Sequence, residues 1–377
     1  MKYRDLCGNN VSVLGLGCMR LPEKKNADGK SVIDYERFAE MAEYAYENGV
    51  NYFDTAYMYH DYTSEIELGK ALRQLGIRDK VYIADKLPPW NVNSKEDVLK
   101  VFEEQLQKTG LDYFDYYLLH NMSSEHWNNT IKKYDVMSVM RSLKESGRIR
   151  HLGFSFHDDL DAFKDIIDEG GEDFEFCQIQ LNYADAASGF QAGLKGLEYA
   201  HLKGLDVIIM EPLRGGKLAC PPEHVKEKLP EGKSAVEIGL DFLWDRPEVN
   251  LVLSGMSSME QLKENIEYAK RAEPGMLTDA ERAAVLEAGE AYNSGARVGC
   301  TGCAYCMPCS VSINIPEVFR LYNKQALEYS WETGQKDAYK NLEVKADSCV
   351  HCGKCTSHCP QNLEIPKLLK EAHISLS

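Results

Sequence analysis

A closed barrel of eight parallel strands, each followed by a helix, with a small cysteine-rich module behind it, is the architecture this sequence predicts. Three observations carry the expectation. Short β-rich runs alternate with longer stretches of helical period, the pattern of a (β/α)8 barrel. The 377 residues exceed one average domain and suit one large barrel plus a module. Eight of the twelve cysteines crowd between Cys300 and Cys359.

The strands are expected at Ser12–Gly15, Asn51–Asp54, Val81–Ala84, Tyr116–Leu119, His151–Ser155, Phe176–Leu181, Asp206–Met210 and Asn250–Leu253. Helices are expected between them. In Tyr35–Asn48 the apolar residues Phe38, Met41, Ala42 and Ala45 fall on one helical face. Val98–Gly110, Asp135–Gly147 and Ser234–Trp244 behave similarly, the first two closing on a glycine stop. A doubly wound sheet is the rival, and it calls for G-x-G-x-x-G after an early strand. Gly15-Leu16-Gly17 runs instead into Cys18-Met19-Arg20, with no third glycine in place.

Composition narrows the function. The chain is 44% hydrophobic and 27% charged, as soluble proteins are. Its net charge of −16 repels phosphate backbones and anionic lipid, so no nucleic-acid partner is expected. No apolar run approaches the roughly 18 residues of a membrane span. The opening MKYRDLCGNN lacks the apolar core of a signal peptide, which predicts the cytoplasm. Cysteines in that reducing compartment point to metal or redox work rather than disulfides. Cys7, Cys18, Cys177 and Cys220 are scattered and read as small core or surface residues.

Barrel chemistry sits at the C-terminal ends of the strands. There the sequence offers Asp54 and Tyr59 after the second run, Lys86 after the third and His120 after the fourth. Any one of these types alone is ordinary: an Asp caps turns, a Lys is solvated, a His is satisfied by its neighbours. Four on consecutive strands make a chemical set. A Tyr ionises near pH 10, and a neighbouring ammonium favours phenolate and lowers that value. Lys86 supplies such a charge, Asp54 holds Lys86, Tyr59 protonates an oxygen, and His120 shares the developing charge. This is apparatus for reducing a carbonyl with hydride arriving from the far side.

Phe53-Asp54-Thr55-Ala56-x-x-Tyr59, then Lys86, then Leu118-Leu119-His120, resembles the catalytic tetrad of the aldo-keto reductases. The resemblance implies a (β/α)8 barrel over residues 1–292 with an N-terminal hairpin closing its base. It also implies metal-free, NADH- or NADPH-dependent interconversion of aldehydes or ketones and alcohols. By the same resemblance, Ser155 and Gln178 hold the nicotinamide carboxamide, and Phe156 stands where the family has an Asn. Met210 replaces the aromatic residue that stacks on the ring, and Leu213, Arg214, Gly215 and Gly216 suit the pyrophosphate. Ser254, Gly255, Gln261, Glu264 and Asn265 resemble the adenosine end, but positions 255 and 261, basic in the family, are not basic here. Trp90, Trp127 and Tyr57 are the candidate pocket walls.

The cysteine runs carry separate chemistry. Cys349, Cys352, Cys355 and Cys359 follow C-x2-C-x2-C-x3-C-P, the bacterial ferredoxin run. Cys300, Cys303, Cys306 and Cys309 precede them with x2 before the last cysteine. Each run leads into similar text, Ile313-Asn314-Ile315-Pro316 and Leu363-Glu364-Ile365-Pro366, a repeat that predicts an Ile-Pro helix start in each half. The pair resembles the helical two-cluster domain at the C-terminus of one aldo-keto reductase subgroup, here residues 293–377. Two [4Fe–4S] clusters, one cluster, or a zinc or loose thiol site are the alternatives. The readings of the whole chain are a carbonyl reductase with an appended iron–sulfur module, an electron-transfer protein serving a ferredoxin-like carrier, and a non-catalytic barrel subunit. The presence of Tyr59 and Lys86 disfavours the last.

Overall fold

The structure, a computed structural model, describes all residues except 188–190, 295–296, 301–303, 305, 328–331 and 360–362. The chain divides into two compact units, Met1–Ala219 with Pro230–Ala283, and Cys220–Leu229 with Ala284–Ser377. Among the described residues no helix is long and apolar enough to cross a membrane.

In the first unit, β1 (Leu14–Gly17), β2 (Tyr52–Asp54), β3 (Tyr82–Leu87), β4 (Phe114–Met122), β5 (Ile149–Phe156), β6 (Phe176–Gln180), β7 (Asp206–Met210) and β8 (Val249–Ser254) close into a parallel barrel in sequence order. The expected hairpin precedes it, pairing Tyr3–Leu6 with Asn9–Ser12. Ser12 belongs to that hairpin, which is why the first barrel strand starts two residues later than apolar content predicts. The hairpin residues Leu6 and Val11 are buried with Tyr52, Ala84, Tyr116, Leu118 and Phe176, filling the barrel's N-terminal end.

Side chains alternate along a strand, so these buried residues fix what lies one layer higher. Two positions beyond Tyr52, Ala84, Leu118, Phe176 and Ile208 come Asp54, Lys86, His120, Gln178 and Met210. The same parity sends Asp85 and Phe156 outward. Gly153 is required on β5, because a Cβ there would come within 2.5 Å of the Phe176 carbonyl oxygen. Ser155, two residues on, pairs in register with Gln178.

The helices after the strands are α1 (Tyr35–Glu47), α2 (Ser64–Leu75), α3 (Lys95–Thr109), α4 (Val136–Glu145), α5 (Leu160–Gly170), α6 (Gly193–Leu202), α7 (Ala235–Trp244) and α8 (Met259–Ala269). Helix α3 starts three residues before the predicted Val98. Its first turn is charged and shows no apolar period, but Ser94 caps it by accepting the Asp97 N–H at 3.2 Å. The glycine stop is as read: Gly110 ends α3 with φ of 69°.

The second unit packs α9 (Ile315–Leu327), α10 (Glu332–Lys340) and α11 (Ile365–Leu376) around an apolar core that includes Val318, Phe319, Tyr339, Leu369 and Leu376. The Ile-Pro repeat opens α9 and α11 in the same way. Ile315 N–H donates to Ile313 O and Ile365 N–H to Leu363 O, at 3.0 and 2.8 Å. One turn on, Val318 bonds to Asn314 and Leu368 to Glu364.

Candidate functional site

A cavity of about 820 Å³ opens at the C-terminal end of the barrel. Asp54, Tyr59 and His120 line it, with Ser155, Gln178, Met210 and Gly255. Lys86 is buried in its floor. Its ammonium donates to Asp54 Oδ1 at 2.6 Å and to the Thr55 carbonyl at 2.7 Å. The same nitrogen lies 5.3 Å from the Tyr59 ring centroid. Tyr59 meets the His120 ring edge-on, with centroids 6.0 Å apart. Gln105 on α3 pins the strand end by donating to the Lys86 carbonyl at 3.0 Å.

Electrostatics depart from the expectation for Tyr59. Burial pushes its phenol up to about 12 and outweighs the pull of the Lys86 ammonium in the other direction. The hydroxyl therefore stays protonated at neutral pH. Desolvation works against the Lys86 charge, but Asp54 and Tyr59 outweigh it and hold its pKa above the usual value. His120 is driven well below its ordinary range by burial and then by Lys86, so its imidazole is neutral.

The residues expected to hold a nucleotide divide into two groups. Ser155 Oγ accepts the Asn121 N–H at 2.8 Å, which leaves its own O–H to donate. Gln178 Nε2 faces Met210 Sδ at 3.5 Å, and its buried Oε1 has no partner among the described residues. A donor beside an unpaired acceptor is the complement of a primary amide, so this corner fits a nicotinamide carboxamide. Phe156 packs outward against Phe163, with centroids 4.9 Å apart, and offers that corner nothing. Leu213, Arg214, Gly215, Gly216, Ser254, Gln261, Glu264 and Asn265 are not among the residues lining the cavity. Gly215 and Gly216 have φ of 68° and 89°, and Arg214 faces Asp185 at 3.7 Å. Asn265 donates to Ser254 Oγ at 3.0 Å, Gln261 accepts the Ser257 N–H at 2.8 Å, and Glu264 accepts from Tyr268 at 2.7 Å.

Of the aromatic candidates, Trp90 lines the cavity and lies 5.4 Å from the His120 ring. The other two are packing residues. Trp127 is buried, with its indole N–H on Glu169 at 2.6 Å. Tyr57 donates to Glu104 at 3.1 Å beneath Lys108. Sequence reasoning passed over Met19, Arg20, Asn121, His157 and Glu211, which also line the cavity. Each lies at or just past the C-terminal end of a barrel strand, the same signal that singled out His120. Arg20 and Glu211 pair across the mouth at 3.0 Å.

In the second unit, Cys306, Cys309, Cys349, Cys352 and Cys355 line one cavity of about 130 Å³. Ser310 Oγ is 3.3 Å from Cys352 Sγ. Cys300 and Cys359 pack against the unit's apolar core. Cys303 lies outside the described residues. Thiols from both runs around one space suit a thiolate-ligated iron–sulfur cluster.

The aldo/keto reductase family model matches residues 13–274, and a 4Fe-4S dicluster domain model matches residues 299–364. L-galactose dehydrogenase from Arabidopsis thaliana is 29% identical over 285 residues, covering 69% of this chain and 84% of its own. The holo form of an aldo-keto reductase from Bacillus halodurans superposes with a TM-score of 0.64 at 24% identity, covering 76% of this chain and 96% of its own. An aldo-keto reductase from Klebsiella pneumoniae in complex with NADPH gives 0.61 at 22% identity, covering 76% and 94%. These two likenesses concern the fold alone.

Proposed function

The chain belongs to the aldo/keto reductase family and is an NAD(P)H-dependent oxidoreductase, and from that premise we propose that it reduces a small aldehyde or ketone, or oxidises the alcohol, at Asp54, Tyr59, Lys86 and His120. The observation that supports this most is the buried Lys86 ammonium, bonded to Asp54 and lying beside a protonated Tyr59. A bound nicotinamide supplies the hydride. Tyr59 gives its proton to the carbonyl oxygen as charge builds there. Lys86 stabilises the phenolate left behind, and Asp54 keeps Lys86 charged and in place. His120, neutral, donates a hydrogen bond that orients the carbonyl. Ser155 and Gln178 would hold the carboxamide of a bound nicotinamide, with the Met210 thioether beside them.

Two measurements bear on this reading. With a phenol near 12, carbonyl reduction should be flat between about pH 6 and 9, because the acid stays protonated. Alcohol oxidation needs the phenolate and should rise roughly tenfold per pH unit over the same range. A reduction rate that halves before pH 9 would mean that another group is the acid. The second measurement concerns nucleotide choice. Without a base at positions 255 and 261, NADH and NADPH should bind within about tenfold, roughly 1.4 kcal/mol. A strong NADPH preference in fluorescence titration would bring Arg214 or Lys263 onto the 2′-phosphate. Leu213, Gly215 and Gly216 would then flank the pyrophosphate, with Ser254, Gln261, Glu264 and Asn265 at the adenosine.

The iron–sulfur domain, residues 293–377 following in sequence a barrel of 1–292, is assigned two [4Fe–4S] clusters. Cys349, Cys352 and Cys355 with Cys309 hold one, and all four border one cavity, which Cys306 also lines. Cys300, Cys303 and Cys306 with Cys359 hold the other. Such clusters supply one-electron chemistry. The exposed Cys352 supports electron exchange with a ferredoxin-like carrier. A reducing cytoplasm suits cysteine runs that serve metal or redox chemistry rather than disulfides.

A further inference from the structure

The barrel end opposite Tyr59 carries a second cluster of donors. The hairpin turns at Cys7-Gly8, with φ of 53° and 79°. A two-residue turn of this kind favours Asn-Gly, because the first position is left-handed and resists a β-carbon. Cysteine there is a strained choice that aims a thiol beneath the hairpin. Its sulfur, a ring nitrogen of His151 and a carboxylate oxygen of Glu175 all lie within 4.8 Å of one another. Donors about one zinc, at bond lengths of 2.0–2.3 Å, sit roughly 3.3–3.8 Å apart, so small side-chain rotations close the set.

The surroundings resemble those of a built site. Glu175 Oε2 faces His151 Nδ1 at 2.9 Å. Its Oε1 is fixed by Lys144 at 2.6 Å and the Leu152 N–H at 3.2 Å. Tyr116 stacks on the imidazole at 5.1 Å. Asp206 accepts the Cys7 N–H at 2.5 Å, and Asp5 accepts the Gly8 N–H at 3.1 Å. Three carboxylates therefore gather around the thiol, and Lys144 pairs with one of them, Glu175. Outer groups that fix each ligand in this way are what metal sites require.

We propose that Cys7, His151 and Glu175 bind a thiophilic divalent cation, zinc above all, which clamps the hairpin to β5 and to the segment leading into β6. On binding, the Cys7 thiol proton leaves to solvent. The imidazole proton moves from Nδ1 to Nε2, which lies 3.0 Å from the Asn9 amide. Asn9 turns its amide so that Oδ1 accepts that proton. The ion takes the place between Nδ1 and Oε2. No electron moves, and the site serves stability rather than turnover.

The test uses protein whose cluster cysteines are already filled by anaerobic reconstitution. Titration with cobalt(II) should add sulfur-to-metal absorption, and dialysis against zinc should retain about one zinc per chain and raise the thermal midpoint. Cys7→Ser should abolish all three effects. Cys7→Asn, the residue the turn prefers, should do the same while keeping the fold. Carbonyl reduction should be unchanged in both variants. Cobalt absorption that survives Cys7→Asn, or no metal bound beyond the clusters, would overturn the proposal.

Discussion

Tyr59→Phe is expected to lower carbonyl reduction by about 100-fold or more, near 2.7 kcal/mol in the barrier. Only a hydroxyl is removed, from a half-buried ring at the cavity wall, so the fold and nucleotide affinity should hold. The loss belongs to the chemical step. Without Tyr59 the carbonyl oxygen gains negative charge with no proton donor, and His120 alone shares it. Lys86 keeps its bonds to Asp54 and Thr55 in the variant, so a structural collapse is not the cause. The check is single-turnover reduction at saturating nucleotide, beside a measured dissociation constant. Unchanged turnover would remove this cluster from the mechanism. A parallel fall in nucleotide affinity would indicate a disturbed cavity instead.

Iron content gives the second large effect. Anaerobic reconstitution should load about eight irons per chain, with broad absorption near 400 nm. Chelation should then open the cysteine segments. Residues 349–359 hold one short helix, Lys354–Ser357, and little apolar side chain, so metal affinity supplies much of their folding free energy. The helices α9 and α11 share a core of their own, which limits the opening to the segments around them. Limited proteolysis and hydrogen exchange should report faster cleavage and exchange there while the barrel still melts cooperatively. Four irons per chain with Cys309→Ser harmless would favour a single cluster. One zinc and no visible colour would end the iron–sulfur assignment.

Much of this was legible along the chain because it is encoded at short range. Period-two alternation and period-3.6 apolar faces depend on neighbours a few residues away. They fix the eight strands and the four helices read above to within a few residues. They also fix which strand ends bear Asp54, Lys86 and His120. The cysteine spacings and the Ile-Pro repeat are local in the same sense. A capped but charged first turn, as in α3, has no apolar period, and its start was therefore late.

What the sequence alone determined was the barrel, its strand-end residues and the thiol runs. What only the tertiary structure decided was which side chains meet. Trp90 and Trp127 look alike in the sequence, yet one borders the cavity and the other packs on Glu169. Arg20 and Glu211 stand 191 positions apart and pair because closing the barrel brings β1 and β7 to either side of one mouth. The sign of the Tyr59 shift was decided there too. The charge of Lys86 can be read from a letter, but desolvation depends on how many groups from how many strands exclude water, and burial outweighed the charge.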